Sequence, residues 1–151
     1  ARGLSYKSVS SIMTTKLQST FTEADLSSLT LVCIPASTVQ DNISRYYKFS
    51  NILCSNTGMQ NGFPHISIVK EKMQSHLGGT DSAEYSYDAD FFKGANVILF
   101  DDVVTRGRSM YQMKSALEQI GANVVCAISI GRTYSDYHGD NRTPHPWSGI
   151  Y

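Results

Sequence analysis

Four apolar segments recur along the chain, and stretches with a different periodicity separate them. Runs of four to eight apolar residues bounded by turn formers are typical of buried strands. The segments are LTLVCIPAS (29–37), which Pro and Ser close, HISIVK (65–70), NVILFDD (96–102) and NVVCAISIG (123–131). The pattern therefore predicts four strands.

Helical spacing appears before and between these segments. Thr22 and Asp25 form a capping-box pattern, which predicts the start of a short second helix. Asp41 is expected to cap a third helix, whose apolar face continues to about residue 55. Gly121 is placed to end a last helix over 110–120. An N-terminal amphipathic helix is predicted by Val9, Ile12, Met13 and Leu17.

The order strand, helix, strand, loop, strand, helix, strand predicts an α/β domain with a mainly parallel sheet flanked by helices. Residues 71–93 are polar and long for a connection, and long loops are usually functional or disordered. We expect a single domain over 1–151, with N-terminal helices at 8–29, a core at about 29–132 and an aromatic tail at 133–151. Such sheets bind ligands at the carboxyl ends of their strands.

Charge and cysteine content narrow the function classes. Thirteen basic and thirteen acidic residues balance, so broad nonspecific binding of nucleic acid is not expected. No apolar run approaches the length that spans a bilayer, so no membrane partner is expected. Cys33, Cys54 and Cys126 are odd in number and form no CxxC pair, which predicts a reducing, cytoplasmic compartment.

The stretch VILFDDVVTRGRSM (97–110) carries the chemistry. Asp101 and Asp102 end a buried strand side by side, and two like charges are tolerated there only if both reach water or a ligand. The loop TRGRS (105–109) then leads into a helix, so its amides and the unpaired amides of the first turn make a cradle for an anion. Gly107 allows close approach of the backbone. Together these features describe a ribose that carries a 5′-phosphate.

This stretch resembles the phosphoribosyl-pyrophosphate (PRPP) loop of type I phosphoribosyltransferases. That loop has an apolar strand, two acids, two aliphatic residues and Thr-x-Gly-x-Ser/Thr; Arg106 stands here where Thr is commonest. Within the class, the chain is similar to ComF-like and amidophosphoribosyltransferase-like domains. Their pyrophosphate loop and Arg-x-x-x-Phe helix resemble IPAS (34–37) and RYYKF (45–49).

The resemblance implies a PRPP-dependent transferase with a mobile hood at 71–93. Asp101 and Asp102 would hold the ribose hydroxyls, directly or through waters of a Mg²⁺ ion held mostly by PRPP. A nitrogen nucleophile, a base or an amine, would displace pyrophosphate from the ribose C1. Threonine at 105, where 6-oxopurine transferases have a catalytic aspartate, disfavours hypoxanthine or guanine. The implied phosphate contacts are Thr105, Arg106, Gly107, Arg108 and Ser109 for the 5′-phosphate, and Ala36, Ser37, Thr38, Arg45 and Lys72 for the pyrophosphate.

Other interpretations stay open at this point. The paired acids could form a solvated turn, Ser37 and Thr38 could cap a helix, and Arg45 and Lys72 could be solvated charges. The chain could be a PRPP- or nucleotide-binding regulator without catalysis, or a ComF-like accessory protein in DNA uptake, and a homodimer is compatible with the sequence. Aromatic tail residues could stack a nucleobase or pack on the domain: Tyr134, Tyr137, Trp147 and Tyr151.

Overall fold

The computed structural model describes residues 5–71, 73–74, 80–81, 83–104 and 108–132, with side chains over 5–71, 83–101 and 109–130. The predictions for Lys72, for 105–107 and for the tail at 133–151 lie outside these residues. The helices are α1 (Tyr6–Thr20), α2 (Glu23–Ser27), α3 (Val39–Thr57), α4 (Ala89–Phe92) and α5 (Arg108–Gln119). The strands are β1 (Leu29–Cys33), β2 (Gln60–Asn61), β3 (Ile66–Lys70), β4 (Met73–Gln74), β5 (Thr80–Asp81), β6 (Glu84–Tyr87), β7 (Asn96–Val104) and β8 (Asn123–Arg132).

A parallel four-stranded sheet with the order β2-β1-β7-β8 forms the centre of the described structure. In its register Cys33 pairs with Phe100, and Asp101 pairs with Ser129. Because the strands are parallel, the segments that follow β1 and β7 leave the sheet on the same side, the carboxyl edge, where the carboxyl ends of the strands lie. The predicted mainly parallel α/β fold is confirmed.

Helices cover both faces of the sheet, which explains why most residues of its inner strands are apolar and buried on both faces. On one face, alternate residues of β1 and β7 such as Leu31 and Ile98 pack against α1, α2 and α3. On the other face, Val32 and Leu99 pack against α4 and α5. The side chains of all four residues are fully buried.

Local capping chemistry sets the helix boundaries. The Thr22–Asp25 capping box is present at the start of α2, as predicted. The third helix begins differently, because Thr38 is the N-cap and its hydroxyl accepts from the amide of Asp41 at 3.0 Å. Asp41 is therefore the third residue of α3 and not its cap. Gly121 has a φ of 100° just after α5, which confirms its predicted role as a terminator.

The predicted second strand exists, but it lies outside the central sheet. β3 pairs antiparallel with β6, while the short β2, within a stretch rich in turn formers, occupies the sheet edge beside β1. Its side chains explain the difference, because Val69 is 67% exposed and Ser67 and Lys70 are also exposed. A strand with one exposed face suits a two-stranded hairpin better than a sheet covered on both sides.

Part of the predicted long loop has regular structure. β6 and α4 lie within 71–93, and Ile66, Tyr85 and Tyr87 pack against the core beside α5. The predicted mobility of this segment stays a prediction. Among the described residues, no helix is both long and apolar enough to cross a membrane.

Candidate functional site

Asp101 is the sixth residue of the nine-residue strand β7, one position beyond the level at which the neighbouring strand β1 ends. The four residues before it, Val97–Phe100, are fully buried, whereas Asp101 itself is partly exposed. The strand continues through Val104, two residues beyond its predicted end at 102, so the two acids lie within β7 and do not end it. The side chains of Asp102 and Arg108 lie outside the described part of the chain, as do all atoms of 105–107.

A tyrosine from α3 contacts the Asp101 carboxylate. The hydroxyl of Tyr46 donates to Oδ1 of Asp101 at 3.3 Å. Tyr46 is only 1% exposed, so its ring belongs to the core while its hydroxyl reaches the edge of the sheet. The sequence analysis missed this residue, since the contact spans 55 positions of the chain.

Two buried thiols lie behind the carboxylate. Burial raises the pKa of Cys33 well above its ordinary value, and nearby Cys54 and then Asp101 raise it further. Burial alone raises the pKa of Cys54 to about 12. A nucleophilic cysteine needs a depressed pKa, so neither thiol suits covalent catalysis.

The segment between β1 and α3 presents amides that already have partners within the chain. The amide of Ala36 donates to Oδ1 of Asn42 at 3.0 Å. The amide of Val39 donates to Oε2 of Glu71 at 2.8 Å, so a carboxylate of the chain lies at the first turn of α3. Ser37 is exposed, and Thr38 caps the helix. A carboxylate at this helix terminus is favoured because the unpaired amides and the helix dipole attract anions.

Arg45 lies seven residues beyond the N-cap of α3 on an exposed position. Its guanidinium carbon lies 5.9 Å from the centre of the Tyr46 ring. Arg45 is therefore adjacent to the tyrosine that contacts Asp101, although the sequence analysis assigned it to the leaving group.

A cavity of about 250 Å³ opens beside Ser109, the last residue of the predicted phosphate loop. The hairpin residues Tyr85 and Tyr87 line it together with Ile34 and Met113. Burial raises the pKa of Tyr85, and burial followed by the neighbouring Tyr85 raises that of Tyr87 to about 12. Both phenols are therefore neutral near pH 7 and offer aromatic surface with a hydroxyl. The alternation of polar residues and tyrosines in EYSY (84–87) is the sequence signal that could have identified these two residues.

The described residues contain no cluster of three or more histidine, cysteine or acidic side chains that could hold a metal ion by itself. A carboxylate at a partly exposed strand end suits Mg²⁺, which keeps several waters and usually binds one or two carboxylates plus substrate phosphates. Asp101 thus fits a metal that a phosphorylated ligand brings to the site.

Comparison with known proteins finds similarity to phosphoribosyltransferases. No family model matches the chain. An orotate phosphoribosyltransferase from Staphylococcus epidermidis is 28% identical over 100 residues, which are 61% of this chain and 49% of that protein. The chain thus matches about half the length of this curated relative.

Two solved structures are similar over most of the chain. A crystal structure of an adenine phosphoribosyltransferase aligns with a TM-score of 0.60 and 15% identity, covering 87% of this chain and 71% of that one. The Saccharomyces cerevisiae adenine phosphoribosyltransferase, complexed with an imino-altritol bisphosphate and adenine, aligns with a TM-score of 0.59 and 16% identity, covering 90% and 73%. The chain has the fold of type I phosphoribosyltransferases. The finer resemblance to ComF-like domains stays a prediction.

Proposed function

We propose that the chain is a PRPP-dependent phosphoribosyltransferase that uses Mg²⁺. The observation that carries the proposal is the partly exposed Asp101 carboxylate, which extends the fully buried run of β7 at the carboxyl edge of a type I phosphoribosyltransferase fold. Ligands of open α/β sheets bind at that edge. The similarity to an orotate phosphoribosyltransferase supports the same reaction class.

The ribose and its 5′-phosphate would lie between β7 and the start of α5. Asp101 and Asp102 would accept from the ribose hydroxyls, or from waters of the metal. Residues 105–109, including Thr105, Arg106, Gly107 and Arg108, would hold the phosphate by backbone amides, hydroxyls and positive charge. Ser109 is exposed at the start of α5, which keeps its hydroxyl accessible.

Pyrophosphate would lie at the start of α3. The amides of 36–38 would face it, but that of Ala36 would first have to release Asn42, and the nearby Glu71 carboxylate would have to move aside. Arg45 and Lys72 would supply positive charge for the leaving group. The site therefore requires a local exchange of hydrogen bonds as pyrophosphate binds.

In the reaction, the bond between ribose C1 and the pyrophosphate oxygen breaks, and a bond from C1 to the acceptor nitrogen forms. Negative charge passes to pyrophosphate, and the acceptor nitrogen gives its proton to the departing pyrophosphate or to water. Mg²⁺ would neutralise charge on the leaving group. The residues of the chain would hold the diol and the phosphate in the reactive geometry and exclude water, which would otherwise hydrolyse PRPP.

The acceptor is a nitrogenous base or amine. Orotate and adenine are the first candidate acceptors, because the similar proteins are named for them. Thr105 in place of an aspartate disfavours hypoxanthine and guanine. The aromatic cavity beside Ser109 is large enough for a planar ring and supports a base as acceptor.

Release of pyrophosphate from PRPP and Mg²⁺ tests the proposal, with orotate, adenine, uracil, hypoxanthine, guanine and ammonia as acceptors. We expect release that depends on one acceptor and stops without Mg²⁺. PRPP binding without release with any acceptor would favour the noncatalytic regulator. Affinity for DNA that falls steeply with salt would favour the ComF-like function.

A further inference from the structure

We propose that Tyr46 is a positioning residue that holds the Asp101 carboxylate for the ribose hydroxyls; this inference rests on the proposed function. Tyr46 touches neither the reacting atoms nor the phosphates in this assignment. It acts through Asp101, to which its hydroxyl donates at 3.3 Å.

Two neighbouring aromatic rings pack against the tyrosine ring. Its centre lies 6.3 Å from that of Phe100 with the planes at 89°, and 6.3 Å from that of Phe49 with the planes at 60°. Phe49 and Phe100 are themselves 4.6 Å apart. Edge-to-face packing at these distances restrains a buried ring, so the hydroxyl is delivered to one place at the end of β7.

The bond restrains the carboxylate through one of its acceptor sites. An ionised carboxylate offers about four acceptor sites, and a phenol hydroxyl supplies a single proton. Fixing one oxygen selects a side-chain orientation of Asp101 before a sugar arrives, which lowers the entropy lost on binding. The donor is also neutral, so it adds no charge that would compete with a bound metal.

The same contact links the two halves of the proposed site. Tyr46 belongs to α3, whose first turn follows the proposed pyrophosphate amides, while Asp101 belongs to β7, which leads to the phosphate loop. Holding the ribose acid from α3 fixes the spacing between the subsites that PRPP must bridge. Loss of this contact should weaken the binding of ligands that carry ribose and leave the binding of free pyrophosphate unchanged.

Tyr46→Phe removes the hydroxyl and keeps the ring, and Tyr47→Phe is its matched control. Tyr47 is the neighbouring residue on α3, 53% exposed, with its ring against Phe63. Calorimetric titration compares both variants with the wild type for Mg–PRPP, ribose 5-phosphate and Mg–pyrophosphate. We expect Tyr46→Phe to weaken the two ribose ligands about tenfold, the loss typical of one hydrogen bond to a charged group. Pyrophosphate affinity should stay within about twofold, as should all affinities of Tyr47→Phe.

Equal weakening of all three ligands would mean a purely structural role and overturn the inference, as would unchanged ribose affinity. Failure of the wild type to bind PRPP would instead overturn the proposed function, and the inference with it. If Tyr46→Phe does not fold, the pair Asp101→Ala and Tyr46→Phe/Asp101→Ala replaces it, because the side chain through which Tyr46 acts is then absent. In the Asp101→Ala background, adding Tyr46→Phe should change the affinity for ribose 5-phosphate by less than about twofold. A larger loss of affinity would contradict action through Asp101.

Discussion

At the scale of single residues, Asp88 holds the junction between the hairpin and the central sheet. Its Oδ2 lies 2.9 Å from Nδ1 of His65, and its Oδ1 accepts from the amide of Phe91 at 3.3 Å as the cap of α4. The His65 ring stacks on Phe91 with centres 3.6 Å apart. The hydrogen bond from His65, followed by that from the Phe91 amide, lowers the pKa of Asp88.

We expect Asp88→Ala to lower the melting temperature at pH 7 more than Asp88→Asn, because asparagine keeps the cap acceptor and loses only the charge. Because the pKa of Asp88 is lower in the folded protein than in the unfolded chain, ionised Asp88 stabilises the fold at a pH above the unfolded pKa, near 3.8. That stabilisation disappears as the pH falls through the pKa of the folded state. The difference in melting temperature between the wild type and Asp88→Asn should therefore disappear at acidic pH. Melting curves across pH test this, and a gap that widens in acid would contradict it.

At the scale of elements, the short strand β2 depends on a glycine that touches β1. The amide of Gly62 donates to the carbonyl of Leu31 at 2.8 Å. A Cβ added at Gly62 would lie 2.6 Å from that oxygen, which is backbone and cannot turn away. The edge of the sheet therefore requires a residue without a side chain here.

Gly62→Ala should lower the free energy of unfolding by about 2 kcal/mol or more, the cost typical of overpacking a close contact. Gly58→Ala is the control: its φ is 82°, but nothing lies within 4 Å of the added Cβ. We expect about 1 kcal/mol there from backbone strain alone. Urea denaturation measures both, and equal losses would mean that the contact with β1 does not matter.

The first turn of α3 gives a second prediction at this scale. Glu71 already presents a carboxylate to the Val39 amide, where pyrophosphate would bind. Glu71→Gln keeps an acceptor and removes the charge, so Mg–pyrophosphate should bind about two- to fivefold more tightly, in line with charge effects at helix termini. Glu84→Gln, an exposed acid on β6, is the control. Weaker binding by Glu71→Gln would show that the carboxylate assists the ligand instead of competing with it.

At the scale of the whole molecule, regular local patterns predicted most of the architecture. The buried runs of β1, β7 and β8, the Thr22 capping box and Gly121 all depend on neighbouring residues, and each appears as expected. The pairing of β3 with β6 depends on partners distant in the chain, and periodicity could not distinguish a hairpin from a sheet strand.

The candidate site also divides into residues that a local pattern predicted and residues that only tertiary packing brings together. The acid pair in β7 was visible because its residues are consecutive. The Tyr46 donor, the Asn42 and Glu71 acceptors and the two hairpin tyrosines approach the site from other elements. No spacing rule links residues brought together by tertiary packing, so these contacts required the structure.

Calorimetric titration of Mg–PRPP into the wild type and Asp101→Asn/Asp102→Asn tests the central claim most directly. The double variant keeps the shape of both side chains and removes both charges, so we expect a melting temperature within a few degrees of the wild type. The wild type should bind PRPP, and the variant should bind at least about a hundredfold more weakly, since each side chain loses its charge and one of its two acceptor oxygens. Equal affinity in the two proteins would contradict the assignment of this strand end as the ribose site.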